Sequence, residues 1–452
     1  MWNTETCQVS SRSSPELTKS TAPGPGASGR ILWGLMLVLL VAAGPWAVYR
    51  AAVRGGSDFP YFEDAGRFVA EHGTRHPRTA LYRYLPSLDV ACVPLTWLPV
   101  PVTATLWYAI NVGCWLLLLR SIRRELLAGV QSQFAAEVTL AAGWLGLPLA
   151  IDGLLLGGFH AMMLWLMIAG LWQVSRGRSW GGGLLLGAAT WLKLLPVFAV
   201  AYLVWRRKWK AVAVAMLAVV VINTVLTLPV YGWRESAELH AEWFWGDAVG
   251  TGDRQLAGAN NSDEDRITNQ SLLVVMRRFL TDRGGFPQLV LARLGENQMT
   301  LAGLSALGGL ALAVWLLLRR SSRQGVADQG AEIALVTLCT VWFSPVVWSY
   351  HLIAAVPATA VVLSRLRQAW QRWCVIGLWG VGMALFTVEL GRAAGHMLWV
   401  TFAVGGILAW TMLVTRRPEY SVLTSVSPHS EGITPALTPA PVSLPETVAL
   451  PE

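Results

Sequence analysis

The chain has 452 residues, 54% of them hydrophobic and 14% charged, with 24 tryptophans and a mean hydropathy of +0.47. Soluble domains carry about 25% charged residues, so this composition excludes a soluble enzyme, and the apolar content excludes disorder as the main state. The net charge of +8, from 35 Lys and Arg against 27 Asp and Glu, points in such a chain to cytoplasmic loops facing anionic lipid and not to nucleic-acid binding.

Residues 1–30 are rich in Ser, Thr, Pro and Gly and carry Arg12, Lys19 and Arg30 without an apolar run. They read as a disordered cytoplasmic arm and not as a cleavable signal peptide, because no small-residue cleavage site follows. Twelve apolar segments come next, at about 31–50, 85–100, 103–119, 135–151, 154–174, 181–203, 211–230, 300–318, 332–348, 350–364, 374–390 and 396–415. Two long polar stretches, 51–84 and 231–298, interrupt them, and a Pro/Ser/Thr-rich tail, 416–452, closes the chain. The expected fold is therefore an all-α polytopic membrane protein with about 11–12 transmembrane or re-entrant helices over residues 31–415, since a full span takes ~20 residues and several segments are shorter. The five cysteines show no C-x-x-C spacing and four lie in apolar stretches, so they read as small hydrophobes and not as a disulfide set or a metal site.

Basic clusters at Arg120/Arg123/Arg124, Arg176/Arg178, Arg206/Arg207/Lys208/Lys210, Arg319/Arg320/Arg323, Arg365/Arg367/Arg372 and Arg416/Arg417 belong to the cytoplasm by the positive-inside rule. Alternation then puts 51–84 and 231–298 outside, together with the turns near Asp152, Ser349 and Gly391. Two places break the parity. Residues 85–119 hold two apolar segments but must cross once, and 181–203 has basic clusters at both ends. Broken or re-entrant elements at Pro99/Pro101 and at Pro196 resolve both. Irregular backbone at membrane depth is tolerated only where it lines a cavity.

This topology gathers titratable residues on the outer face. Asp58, in Gly55-Gly56-Ser57-Asp58-Phe59-Pro60-Tyr61, suits a general base working on an amphiphilic substrate at the membrane surface. It suits equally an Asp capping a short helix that starts at Pro60. Lys193, inside an apolar segment before Pro196, costs about 2.5–3.5 kcal/mol at the bilayer centre and calls for an anion-filled or watery cavity; snorkelling to an interface is the plainer account. His351, after Ser344-Pro345 and among Trp348 and Tyr350, fits a phosphate or sugar ligand and an interfacial belt alike. Asn269-Gln270-Ser271 with Arg277 offers amides, a hydroxyl and a cation, and taken alone reads as a helix start. His72 and His76 have helical metal spacing, but Gly73 intervenes and Pro77 follows, so no metal site is expected. Nucleotide-binding motifs are missing too, which makes a membrane-borne activated donor the simplest one.

The chain resembles glycosyltransferase family 87 of the GT-C superfamily, multispanning polyprenyl-phosphate-mannose-dependent α-mannosyltransferases. Four stretches carry the resemblance, in order: Asp58-x-x-Tyr61-x-x-x-Ala65 with Gly73, Leu81-Tyr82 and Tyr84-x-Pro86; Gly157 through Gly187 to Lys193-x-x-Pro196 and Arg206-Arg207-Lys208-Trp209; Asn269-Gln270-Ser271 with Arg277; and Ser344-Pro345-x-x-Trp348-x-x-His351. The family's usual Gly-Gln-x-Asn reads Gly158-Phe159-His160-Ala161 here, and the Asn/Asp-rich loop at 258–266 is an addition.

The resemblance implies an inverting, metal-independent transfer without a cofactor on the non-cytoplasmic face of the cell membrane, from a polyprenyl-phosphate sugar, expected to be mannose, to a glycolipid or glycan acceptor. In it Asp58 is the base, Lys193, His351 and Arg277 neutralise the leaving phosphate, and Asn269, Gln270, Tyr61, Tyr82 and His160 are candidate substrate contacts. The competing reading is a transporter or flippase for a lipid-linked or small solute, which commonly shows internal repeats; no clear repeat is visible here.

Overall fold

The computed structural model describes residues 26–55, 57–75, 84–250, 267–282, 287–321 and 329–414, and every regular element among them is helical. In chain order these are α1 (Ala27–Tyr49), α2 (Phe59–His72), α3 (Pro86–Ala91), α4 (Val100–Ser121), α5 (Ser132–Leu156), α6 (His160–Ser175), α7 (Ser179–Leu192), α8 (Val197–Trp205) and α9 (Trp209–Trp243). After them come α10 (Leu272–Leu280), α11 (Glu296–Ser321), α12 (Gln329–Trp342), α13 (Ala355–Arg365), α14 (Ala369–Phe386), α15 (Glu389–Ala393) and α16 (His396–Val414). Among the described residues, six helices are long and apolar enough to cross a bilayer: Ala27–Arg54, Val100–Leu126, Ser132–Leu156, Trp209–Gly246, Glu296–Ser321 and His396–Val414. His160–Ser175 and Gln329–Trp342 are shorter apolar helices. This is an all-α polytopic membrane protein.

Both stretches that upset the parity are broken. Residues 85–99 form no span: α3 is followed by a 3-10 turn, Val93–Trp97, and α4 then starts with Pro101 in its first turn, where the missing N–H costs nothing. Between α7 and α8 the backbone leaves the helix at Lys193 (φ −158°, ψ 139°) and re-enters after Pro196. In a continuous helix the ring of Pro196 would strike the carbonyl of Leu192, and α7 ends at that residue. With 14 and 9 residues, α7 and α8 measure ~21 and ~14 Å at 1.5 Å per residue, and neither alone crosses ~30 Å of hydrocarbon.

Close helix packing follows from the glycines of α7, the helix lying against both α6 and α9. A Cβ at Gly187 would lie 2.6 Å from the Ala218 Cβ and 2.7 Å from the Ala215 carbonyl oxygen, so α9 approaches a bare backbone. Such small-residue contacts replace the hydrophobic effect as the adhesive between helices in lipid. Helix α9 continues beyond the apolar stretch, through Pro229 and a kink at Gly232 (φ 70°), to Trp243. The polar stretch beginning at residue 231 therefore opens as helix and not as loop. Gly232 supplies a positive φ that a side chain would strain.

At the end of the bundle away from Asp58, Tyr202 donates to Glu332 at 2.6 Å and Arg206 lies 3.9 Å from the same carboxylate. That buried group ties the end of α8 to the start of α12.

Candidate functional site

The site forms where irregular turns meet. Helix α5 ends on Gly157, whose left-handed φ of 76° reverses the chain at once into α6. The carbonyl of Leu156 accepts both the backbone N–H of Asp58, at 2.6 Å, and the Ser57 hydroxyl, at 3.0 Å. A Cβ on Gly157 would stand 3.1 Å from that of Phe59, so the start of α2 lies directly on this turn. Trp107 of α4 donates to the Gly157 carbonyl at 2.8 Å. Phe62, Tyr84, Trp107 and Phe159 pack ring on ring beside it, with the Phe62 and Phe159 centroids 4.9 Å apart.

Asp58 occupies the N-cap position of α2 but makes no side-chain capping bond; Ser57 Oγ instead accepts from the Phe59 N–H at 3.3 Å. The Asp58 carboxylate is thus left for other work. Burial pushes its pKa up, against the pull of the nearby Lys193 and Arg50 cations. An acid so placed is a better proton acceptor than an ordinary carboxylate.

Lys193 leaves the non-helical break between α7 and α8 and ends between two imidazoles. Its Nζ lies 2.7 Å from His160 Nε2 and 2.8 Å from His351 Nε2. The two rings are 4.1 Å apart, and the Tyr84 and Tyr350 rings lie 5.8 and 6.0 Å from the ammonium position. His160 is at the first position of α6 and His351 in a 3-10 turn, Ser349–Ala354. Four chain segments therefore bring Lys193, His160, His351 and Tyr84 together, with Asp58 close enough for its charge to be felt.

The Asn-Gln-Ser and Ser-Pro-x-x-Trp-x-x-His stretches interlock. Asn269 Oδ1 accepts from the backbone N–H groups of Ser271 and Val347, both at 3.0 Å, and the Gln270 N–H donates to the Val347 carbonyl at 2.6 Å. Gln270 Nε2 donates to the Arg392 carbonyl at 2.7 Å. Ser271 caps α10 by accepting from Val274 N–H. Asn269 thereby ties the segment leading to His351 to the start of α10, whereas Gln270 Oε1 is buried without a hydrogen-bond partner. Arg277 is buried in α10, and Tyr61 is exposed on α2. Tyr82, His76 and the loop at 258–266 lie outside the described residues.

Three participants are absent from the sequence-based set. Arg50, in the π-turn that ends the first span, acts electrostatically on both Asp58 and Asp152. Asp152 accepts from the Ser349 hydroxyl, which anchors the His351 turn on α5. Asp89 of α3 pairs with Arg75 at 3.0 Å, and Arg75 also reaches the Tyr84 carbonyl at 3.4 Å. A lone Asp inside an apolar segment is the signal that marks Asp89; Arg50 and Asp152 carry none, since both sit at span ends where polar residues are ordinary.

Comparison with known proteins gives the same direction. The family model described as "Glycosyltransferase family 87" matches residues 82–345. A polyprenol-phosphate-mannose-dependent alpha-(1-2)-phosphatidylinositol mannoside mannosyltransferase of Mycolicibacterium smegmatis is 27% identical over 442 residues, covering 88% of this chain and 92% of that protein. The protein of the same name from Mycobacterium tuberculosis is 25% identical, covering 80% of this chain and 81% of its own. A polyprenol-phosphate-mannose-dependent alpha-(1-2)-phosphatidylinositol pentamannoside mannosyltransferase of Mycobacterium tuberculosis is 29% identical over 61% of this chain and 57% of its own. No solved structure matches.

Proposed function

We propose, from the premise that the chain belongs to glycosyltransferase family 87 and is a membrane glycosyltransferase, that it moves mannose from a polyprenyl-phosphate donor to a membrane glycolipid of the phosphatidylinositol mannoside class. The observation that carries this reading is the Lys193 amine between two imidazoles, 2.7 and 2.8 Å away, within electrostatic reach of a carboxylate that its own helix does not use. The relatives' names supply the donor and acceptor class.

Asp58 takes the proton of the acceptor hydroxyl as its oxygen attacks C1 of the mannosyl group. The bond from C1 to the phosphate oxygen breaks on the opposite face, so a β-linked donor yields an α-mannoside. The leaving polyprenyl phosphate keeps the electron pair and gains a second negative charge. Lys193, His351 and His160 meet that charge, and Arg277 of α10 is a further candidate cation for it; donors aimed at developing charge supply the largest single share of such a barrier reduction. Charge compensation by side chains supports a metal-independent reaction. The basic clusters around Arg123 and Arg206 lie at the opposite helix ends, which supports placing the site on the non-cytoplasmic face.

The test is transfer by the purified full-length chain, in detergent, from radiolabelled polyprenyl-phosphate mannose to phosphatidylinositol mannosides, with and without EDTA. Labelled, α-linked glycolipid in both samples is the expected result. No transfer to any mannoside acceptor overturns the acceptor assignment, and loss with EDTA overturns metal independence.

A further inference from the structure

Two residues of the six-residue helix α3 hold the walls of the site from behind. Asp89 does so through Arg75, which reaches the Tyr84 carbonyl. Ser87, fully buried, does so through Trp191. The Trp191 indole N–H donates to Ser87 Oγ at 2.8 Å, and an indole nitrogen can only donate. The one hydrogen of the Ser87 hydroxyl is thereby left for Asn223 Oδ1 on α9, to which it bonds. Asn223 is oriented in its turn: Nδ2 donates to the Val219 carbonyl at 2.7 Å, which leaves Oδ1 to face Ser87. The bonds run in one direction, from Trp191 to Ser87 to Asn223. The fold of α9 secures the far end. Thr227 and Ser236 stand nine residues apart, about 13 Å along a continuous helix, yet their hydroxyls meet at 2.7 Å. The leg after Gly232 therefore lies back along the leg before it, and His240 on the returning leg places Nε2 3.2 Å from Asn223 Oδ1.

Trp191 lies two residues before Lys193, in the last turn of α7. Its ring packs on the cluster that contains Phe62, Leu88 and Phe159, and the bond to Ser87 sets its direction there. Thr190 in the same turn bonds within its own helix. Lys193 aside, the Trp191 bond is thus the one side-chain hydrogen bond from this turn to another element among the described residues. We infer that Ser87 is a positioning residue of the transfer reaction: through Trp191 it sets where the break between α7 and α8 begins, and so holds the Lys193 amine between His160 and His351. This rests on the reading of Lys193 as a contact of the donor phosphate. Ser87 itself meets no substrate. The phosphodiester is charged before reaction, so an amine displaced from its place weakens donor binding as well as the later steps.

The experiment compares Ser87→Ala, Trp191→Phe and the double variant with the unaltered full-length protein in detergent. The readouts are the KM for polyprenyl-phosphate mannose, the KM for the acceptor, and the pH profile of kcat/KM for the donor, which reports groups of the free enzyme. Each single change removes one end of the same bond. Donor KM is expected to rise about 2- to 10-fold in either, the worth of one hydrogen bond, with acceptor KM unchanged. The double variant should add little, because the bond is lost only once. The acid limb of the profile should move to higher pH. That limb belongs to Asp58, which faces the Lys193 and Arg50 cations and the Tyr84 phenol, and a Lys193 no longer held in place restrains it less. Folded variants with an unmoved donor KM or an unmoved limb make the bond purely structural, whatever their melting temperature, and overturn the inference while the proposed function stands. Additive effects in the double variant overturn it too. Should one single variant not fold, the other decides alone on donor KM and the limb. Absence of transfer by the unaltered protein overturns the proposed function, and this inference with it.

Discussion

The backbone N–H of Asp58 donates to the Leu156 carbonyl at 2.6 Å, so the residue is fixed through its main chain while its carboxylate makes no bond to the helix that it heads. Position and chemistry are separated: the turn after α5 holds the backbone, and the side chain stays available. Asp58→Asn is therefore expected to abolish transfer, by at least about 10²–10⁴-fold, the usual worth of general base catalysis. The melting temperature in detergent and donor affinity should stay near those of the unaltered protein, because no capping bond is lost. Near-normal turnover by the Asn variant would move the base to another residue, Glu63 or Asp64.

The pH profile tests the surroundings of that carboxylate. Burial raises the Asp58 pKa, and Lys193 and Arg50 restrain the rise. A base works ionised, so kcat should climb with pH along a limb lying above the ordinary carboxylate range and then level off. The sign for stability is the reverse: a raised folded-state pKa means that the acid form is favoured, and stability from this group falls as pH rises above its unfolded value. Removing one restraining cation in Arg50→Gln should move the acid limb of kcat to higher pH, with the plateau less affected. A limb that stays in place would show that Arg50 does not act on the base.

Asn269 offers a stability test that also reads the site. Its Oδ1 holds two backbone N–H groups at 3.0 Å, and a buried donor left without a partner costs about 1–3 kcal/mol. Asn269→Ala should lower the melting temperature clearly. It should also raise the donor KM, since Val347 sits on the same turn as Trp348 and His351. A variant that melts lower with an unchanged KM would make Asn269 a structural pin only.

How far the sequence discloses such features depends on whether the chemistry is local. Pro196 breaks the helix beside Lys193 by a clash within one turn, and Ser271 caps α10 by accepting from the N–H three residues on, so both are readable along the chain. Asp58 is readable as an N-cap position, yet the choice of Ser57 over Asp58 as the capping side chain depends on Leu156, far away in sequence. The role of Asn269 depends on Val347 in the same way: spacing marks a helix start and gives no sign of a tether. Helix α9 runs past the apolar stretch because Gly232 absorbs a kink and the helix goes on beyond it, which hydropathy cannot register. The pairing of His160 with Lys193 is legible only once α5 is seen to turn at Gly157.

Sidedness gives the last test, and the chain carries its own control. Cys374 is exposed near the start of α14, two residues after Arg372, one of the basic residues that the positive-inside rule assigns to the cytoplasm. Cys92, Cys114 and Cys339 are buried and should be poor targets. In a Cys7→Ser background, which removes the remaining cysteine, a membrane-impermeant maleimide applied to intact cells is therefore expected to leave the protein unlabelled and to reach Cys374 after permeabilisation. Asp64 is exposed on α2, on the helix that Asp58 heads, so Asp64→Cys should be labelled from outside without permeabilisation. Both positions report on one chain in one bilayer, and they must behave oppositely if the site faces outward. Labelling of Cys374 in intact cells, with Asp64→Cys protected until the membrane is opened, would turn the protein over and place the Asp58 site in the cytoplasm, where a donor facing the outer leaflet could not reach it.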